Sequence, residues 1–199
     1  LNELSKRRAA LLRNLNLGPV YTENAEHLNA ILPQNVKPTV VVMNPPFSAT
    51  AGRIAGKRDT AIGAQHVEQA LKRLQPGGRL VAILGKGAAP DAPAFRDWWK
   101  KIKDEYSVLA NIRVNGDEYR KYGTTFDNRL IVIDKTGKTD KMELTGEVDK
   151  IEDLVSLLEG VRNARVSEQG RLSAGDRQGE QAPAEQGGPG SAGENTWLQ

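Results

Sequence analysis

Cysteine is missing altogether from these 199 residues, which excludes disulfides, thiolate metal sites and a catalytic thiol. Long apolar runs are missing too. None approaches the length that spans a bilayer, and the amino terminus lacks the apolar core of a signal peptide. The expectation from both absences is a soluble, cytoplasmic protein. Histidine is scarce, with only His27 and His66 present. His27 has no metal-ligand companions at useful spacing, and His66 falls on the inward side of a helical stretch, where a core histidine with its hydrogen bonds satisfied is a simpler account than a base. The chain opens on Leu1 and not on Met, so a piece of a longer polypeptide is expected.

What is present divides near residue 165. From Val166 to Gln199 the sequence is rich in Gly, Ser, Ala, Gln, Glu and Pro and poor in large apolar groups, too few to offset the entropy of ordering. A disordered low-complexity tail or linker is expected over 166–199, and one domain over 1–165. The tail holds 2 of the 28 Lys and Arg and 5 of the 25 Asp and Glu, which leaves 26 basic against 20 acidic residues in 1–165, a net +6. That excess is compatible with a polyanionic partner and also occurs in proteins that have none.

Within 1–165, short strand-like runs alternate with helix-like stretches, the pattern of an α/β fold. Ser5 can cap a helix through KRRAALLRNL, with Leu11, Leu12 and Leu15 on one side and Lys6, Arg7, Arg8 and Arg13 on the other. PVYT reads as a strand, AEHLNAIL as a short helix, and AIGAQHVEQALKRL as a helix with Ile62, His66, Val67, Ala70, Leu71 and Leu74 inward. RLVAIL, SVLANIRV and NRLIVIDK read as strands. PAFRDWWKKIKDEY reads as a helix in which Phe95, Trp98, Trp99 and Ile102 pack on the sheet, and a last helix is expected from Asp149 to Arg162. Trp98 and Trp99 suit core and rim better than a base-stacking platform.

VVVMNPPF, residues 40–47, joins an apolar run to two prolines. Val40 to Met43 read as a buried parallel strand covered on both faces. Pro45 and Pro46 fix φ and remove two backbone donors, so the chain must leave the sheet in one stiff shape. Open parallel sheets bind ligands outside the carboxyl ends of their strands. Three polar signals fall at such ends. Glu3 is either a ribose-binding carboxylate or a charge favoured at a helix amino end; Asn24 is a ligand contact or a helix cap; Asn44-Pro45-Pro46-Phe47 is a positioned site or a rigid loop. Asp127 and Arg129 in TTFDNR could reach the substrate mouth or belong to a turn before a strand.

The strand followed by NPPF resembles the catalytic motif of S-adenosylmethionine-dependent amino-group methyltransferases, above all the N6-adenine DNA enzymes. LNELSKRRAALLRN is similar to the family's acidic ribose-binding strand end and helix, YTENAEHL to its adenine-contacting segment, ALKRLQPGGRLVAIL to its fifth strand, and YGTTFDNRLIVIDK to its antiparallel closing strands. The resemblance implies a Rossmann-like class I methyltransferase sheet, mostly parallel with an antiparallel closing strand. It implies S-adenosyl-L-methionine as cofactor, with Glu3, Leu4, Asn24, Ala25 and Asn44 in contact with it. Asn44, Pro45, Pro46 and Phe47 would be the catalytic segment. The Asn44 side-chain oxygen and the Pro45 carbonyl would accept the two hydrogens of a conjugated amine, and Phe47 would stack on the extruded base. Absence of cysteine fits a direct displacement and excludes the thiol-dependent route to carbon-5 of cytosine.

Two parts of the family pattern are missing. No glycine-rich loop for the methionine end of the cofactor occurs in the chain, so either the first strand and that loop precede Leu1 in a longer parent, which is the expectation favoured by the start on Leu1, or this chain has lost them. No separate base-reading module fits either. Phe47, Ser48 and the cations Arg53, Lys57 and Arg58 are therefore the expected nucleic-acid contacts, with a solvated loop as the alternative for 48–60. NPPFSATAGR, QALKRLQPGGRLVAILGKG and YGTTFDNRLIVIDK together look similar to methyltransferase modules joined to Strawberry-notch-type helicases of mobile elements, which implies a fused helicase partner. DNA is the expected substrate, with no metal and no membrane. A base amine of RNA, a glutamine amide of a protein, and a non-catalytic binding module remain alternatives.

Overall fold

The computed structural model describes residues 1–47, 61–123 and 125–164. Ser5 caps α1 (Lys6–Asn14) by accepting the Arg8 N–H at 3.5 Å, as the sequence suggests. The leucine side of this helix is largely uncovered, with only Ala9 buried and Leu11 and Leu15 exposed at 62% and 59%. A 3-10 turn, Ala25–His27, leads into α2 (Leu28–Ile31). Next come β1 (Val40–Met43), α3 (Ile62–Arg73), β2 (Arg79–Gly85), α4 (Arg96–Glu105), β3 (Ser107–Val114), β4 (Asn128–Asp134), β5 (Leu144–Val148) and α5 (Ile151–Leu157). No helix among the described residues is long and apolar enough to cross a membrane.

The five strands form one sheet in the order β1-β2-β4-β3-β5. β1 pairs with β2 and β3 with β5 in parallel, while β4 is antiparallel to both of its neighbours. Four strands therefore run one way and β4 alone runs against them, so the sheet is mostly parallel with one reversed strand. Each face is apolar because alternate residues along a strand point to opposite sides. α3 and α4 cover one face, where Val67, Leu71, Leu74, Trp99 and Ile102 pack on Leu80, Leu84, Ile131 and Ile133. α5 covers part of the other through Leu154, against Ile112, Val132 and Val148.

Three expectations need correction. PVYT does not form a strand: only Tyr21 pairs, in an isolated parallel bridge with Asn2. Pro19 has no N–H to give to a ladder. Beyond Tyr21 the Asn2 side chain takes over the pairing, accepting from Glu23 N at 3.1 Å and donating to Glu23 O at 3.0 Å. β1 is not covered on both faces either. It is an edge strand; Val41 and Met43 pack on the core, whereas Val40 and Val42 are 41% and 79% exposed. β5 is a strand that the sequence reading does not anticipate. The expected boundary near residue 165 and the tail 166–199 lie outside the described residues.

Buried charges tie the elements together at the end of the sheet away from NPPF. Arg79 binds Asp134 through two hydrogen bonds of 2.7 and 2.8 Å and donates to the Val161 carbonyl at 2.8 Å, joining β2, β4 and the segment after α5. Lys135 donates to the carbonyls of Leu71 and Leu74, each at 2.8 Å, and of Lys72 at 3.1 Å, which closes the carboxyl end of α3. Arg73 does the same for α2 by donating to the carbonyls of Asn29 and Leu32. A buried ion pair stabilises mainly by leaving neither charge alone. Asp134→Ala should therefore cost about 3–5 kcal/mol in denaturant unfolding, while the double variant Arg79→Met/Asp134→Leu should recover most of it. A double variant as unstable as the single one would refute this account.

Candidate active site

The prolines after β1 are seated by two glycines far away in sequence. A Cβ on Gly63, in the first turn of α3, would lie 3.3 Å from the Pro46 carbonyl oxygen and 3.7 Å from Pro45 Cγ. A Cβ on Gly85, at the end of β2, would lie 3.1 Å from Phe47 Cβ. The segment Pro45–Phe47 is thus pressed between a helix start and a neighbouring strand end, with Pro45 buried, while Asn44 before it is exposed to solvent.

Beside it opens a cavity of about 580 Å³. Pro46 and Phe47 form one wall, Gly63 and Ala64 of α3 another, and Leu84, Gly85 and Lys86 at the end of β2 the floor; Phe126 and Asp127 come in from the approach to β4. The reversed direction of β4 explains their presence, because its start lies at the carboxyl ends of β1 and β2. Phe47 is 39% and Phe126 71% exposed, so two aromatic rings border the cavity while remaining available to a ligand. Phe126, Gly63, Gly85 and Lys86 escaped the sequence reading. Phe95, expected only to pack on the sheet, also lines the cavity. Trp99 is core as expected, and its indole N–H donates to the Ala88 carbonyl at 2.9 Å.

Asp127 does reach this mouth. Its carboxylate accepts from Arg113 Nη2 at 2.8 Å and from the Gly116 N–H at 2.9 Å. These two donors, Arg113 first, hold its pKa below the usual aspartate value. Arg129, the other candidate in that segment, does not line the cavity. It donates to Asn111 Oδ1 at 2.8 Å, and burial lowers its pKa.

Glu3, Leu4, Asn24 and Ala25 form a second group, brought together by the Asn2–Tyr21 bridge and apart from the cavity lining. Glu3 Oε1 accepts from the Ser5 N–H at 2.7 Å and from Arg8 Nη2 at 2.9 Å, so its carboxylate is held ionised, chiefly by the Arg8 hydrogen bond. Both bonds fall on Oε1, and Oε2 can accept from a diol. Asn24 acts as a cap: its Oδ1 accepts the Glu26 N–H at 3.1 Å and its Nδ2 donates to Glu26 Oε2 at 3.4 Å. Leu4 is 64% exposed. Ser48, Arg53, Lys57 and Arg58 lie outside the described residues. Among the described residues no group of His, Cys, Asp or Glu could hold a metal ion.

Solved structures of similar shape cover most of the described part of the chain. A type I restriction-modification system methyltransferase subunit from Streptococcus thermophilus superposes with a TM-score of 0.59 at 16% identity, over 83% of this chain and 41% of that one. The chain has a Rossmann-like methyltransferase fold. A protein from Vibrio vulnificus described as a modification subunit of a type I restriction enzyme gives 0.57 at 16% identity, over 70% of this chain and 33% of that one. A protein from Listeria monocytogenes described as a class I S-adenosylmethionine-dependent methyltransferase gives 0.57 at 14% identity, over 84% and 53%. The chain thus spans about a third to a half of the length of these structures. No protein-family model and no curated protein matches it.

His66 lies in the packing of α3 against the 3-10 turn that Asn24 caps. It is 8% exposed, and its buried Nε2 has no hydrogen-bond partner among the described residues. Desolvation lowers its pKa, opposed by the Glu26 carboxylate. The unfolded chain therefore takes up this proton first. The neutral ring contributes stability that is fully present above the ordinary histidine value of about 6.5 and is lost as pH falls below it, towards the folded-state value. Denaturant midpoints measured through that window should fall with acidification, and His66→Leu should flatten the slope. An unchanged slope in the variant would count against the assignment.

Proposed function

We propose that the chain is a methyltransferase domain that transfers a methyl group from S-adenosyl-L-methionine to the exocyclic N6 amine of adenine in DNA. The supporting observation is the seating of Pro45–Phe47, the residues next to Asn44, against Gly63 and Gly85, with Pro46 and Phe47 at the wall of a cavity bordered by a second phenylalanine. Adenine N6 is a poor nucleophile because its lone pair is delocalised into the ring. The Asn44 side-chain oxygen and the Pro45 carbonyl would accept its two hydrogens, favouring the pyramidal nitrogen that can attack. Prolines hold both acceptors before the substrate arrives, so little reorganisation is needed during reaction. Phe47 and Phe126 would stack on the extruded base, at roughly 1–3 kcal/mol per base.

The cofactor, when bound, supplies an electrophilic methyl carried by a sulfonium sulfur. Glu3 suits its ribose, with an ionised carboxylate whose Oε2 is open to a diol, and Leu4, Asn24 and Ala25 would border the adenine. The domain would extend over 1–165, with 166–199 as tail or linker. Ser48, Arg53, Lys57 and Arg58 would contact nucleic acid, and a fused helicase would supply the surface that reads the target. A non-catalytic binding module is the second reading, favoured by one observation: the 199 residues contain no glycine-rich loop for the methionine end.

Labelled S-adenosylmethionine offered with duplex DNA, single-stranded DNA, RNA and protein separately tests this. The expected result is N6-methyladenine in DNA, reduced about 100-fold or more by Asn44→Ala, the loss typical of removing one preorganised polar contact to the reacting group. Label in RNA or protein would keep the chemistry and change the substrate. Transfer to none of the four, in a parent chain that carries a glycine-rich loop, would leave the binding module.

A further inference from the structure

Phe126 borders the cavity although 71% of its surface is exposed. A ring so exposed buries little apolar area, and the residue that follows it is firmly held. That residue is Asp127, whose carboxylate is only 15% exposed. It is bonded on three sides by separate segments. Arg113 of β3 reaches Oδ2 at 2.8 Å, the Gly116 N–H at the start of the 3-10 turn Gly116–Tyr122 reaches Oδ1 at 2.9 Å, and the Lys86 N–H after β2 donates to the Asp127 carbonyl at 3.1 Å. Lys86 Nζ stands 3.8 Å from Oδ2, and Arg113 continues the chain of charges to Glu147 of β5 at 2.8 Å.

The connection between β3 and β4 is pinched at this point. A Cβ on Gly116 would collide with the Thr125 carbonyl and lie 2.6 Å from the Phe126 carbonyl carbon, so the two ends of the connection cross backbone to backbone. Asn115 secures the near side, accepting the Asp117 N–H at 3.0 Å and donating from its side chain to Asp149 at 3.0 Å. Residues 125–127 are thus fixed from β2 through the Asp127 main-chain carbonyl, and from β3 and the turn through its carboxylate.

We infer that Asp127 is a positioning residue of the cavity mouth: it ties β3, the turn at Gly116 and the end of β2 to the start of β4, and thereby holds Phe126 against the space where the base enters. This rests on the reading of the cavity as a base pocket. Asp127 itself needs no contact with the base. Its two carboxylate oxygens are taken by Arg113 and Gly116, and the consequence of losing it is a displaced Phe126 ring.

The composition supplies the test. The chain has three phenylalanines, and Phe47, Phe95 and Phe126 all line this cavity. Incorporation of 4-fluorophenylalanine into the full 199-residue chain gives three fluorine resonances, each assignable by a Phe→Leu variant. Without ligand, Asp127→Asn should shift or broaden the Phe126 resonance and leave that of buried Phe95 in place. Arg113→Met, which removes the donor and keeps the carboxylate, should move Phe126 the same way. A Phe126 resonance unmoved in both variants, or Phe95 moving as far as Phe126, would overturn the assignment. Adenosine titrated into the wild type should shift Phe47 and Phe126, and Asp127→Asn should weaken that response about tenfold, within the range of a lost stacking contact. Adenosine that moves none of the three overturns the base-pocket reading alone, because the ligand-free spectra still decide the role of Asp127.

Discussion

The close approach of Pro45–Phe47 to Gly63 and Gly85 is the contact on which the candidate site depends. Proline stiffens a chain but does not say where it points. Direction comes from the two places where a side chain is absent, one on α3 and one on β2, which let the Pro46 carbonyl and the Phe47 ring come within van der Waals distance of backbone. A methyl group at either glycine would have to displace the segment or its neighbour by a few tenths of an ångström. The cavity wall is therefore a joint product of β1, α3 and β2.

Legibility in the sequence followed the range of the interactions. SVLANIRV and NRLIVIDK are continuous apolar runs of strand length, and they became β3 and β4 over almost the same residues. The inward stripe Ile62, His66, Val67, Ala70, Leu71 is periodic and local, and all five are buried in α3. β5 was illegible because LTGEV has a glycine at its centre and buries only Val148 fully. PVYT misled because its apolar letters say nothing of Asn2, whose side chain occupies the pairing positions beyond Tyr21.

The site divides in the same way. The NPPF segment was legible because proline constrains its own backbone. Phe126 was not, although an antiparallel closing strand was expected, because nothing local to TTFDNR says which side chains on the approach to β4 face the cavity. Glu3 and Asn24 were each read two ways. The capping geometry of Asn24 and the Glu3–Ser5 contact are local interactions that the chain satisfies within a few residues, and neither bars a ligand from the remaining carboxylate oxygen. Val40 and Val42 illustrate the opposite error: an apolar run implies cover on both faces, and among the described residues β1 is an edge strand with one face largely bare.

The single reversed strand has a consequence for how such a site can change. Parallel strands need a long crossover that travels the length of the sheet, whereas an antiparallel pair can be joined by a connection that begins and ends at the same rim. Residues 115–127 are such a connection, closed at its base by Gly116 and Asp127 and anchored in two adjacent strands. They amount to an exchangeable cassette. Among its described residues Tyr119 alone ties it to the apolar core, packing beside Ile112 and Val148, so changes elsewhere between Gly116 and Thr125 would leave α3, α4 and the sheet in place and the selectivity of this rim could diversify while its scaffold stays constant.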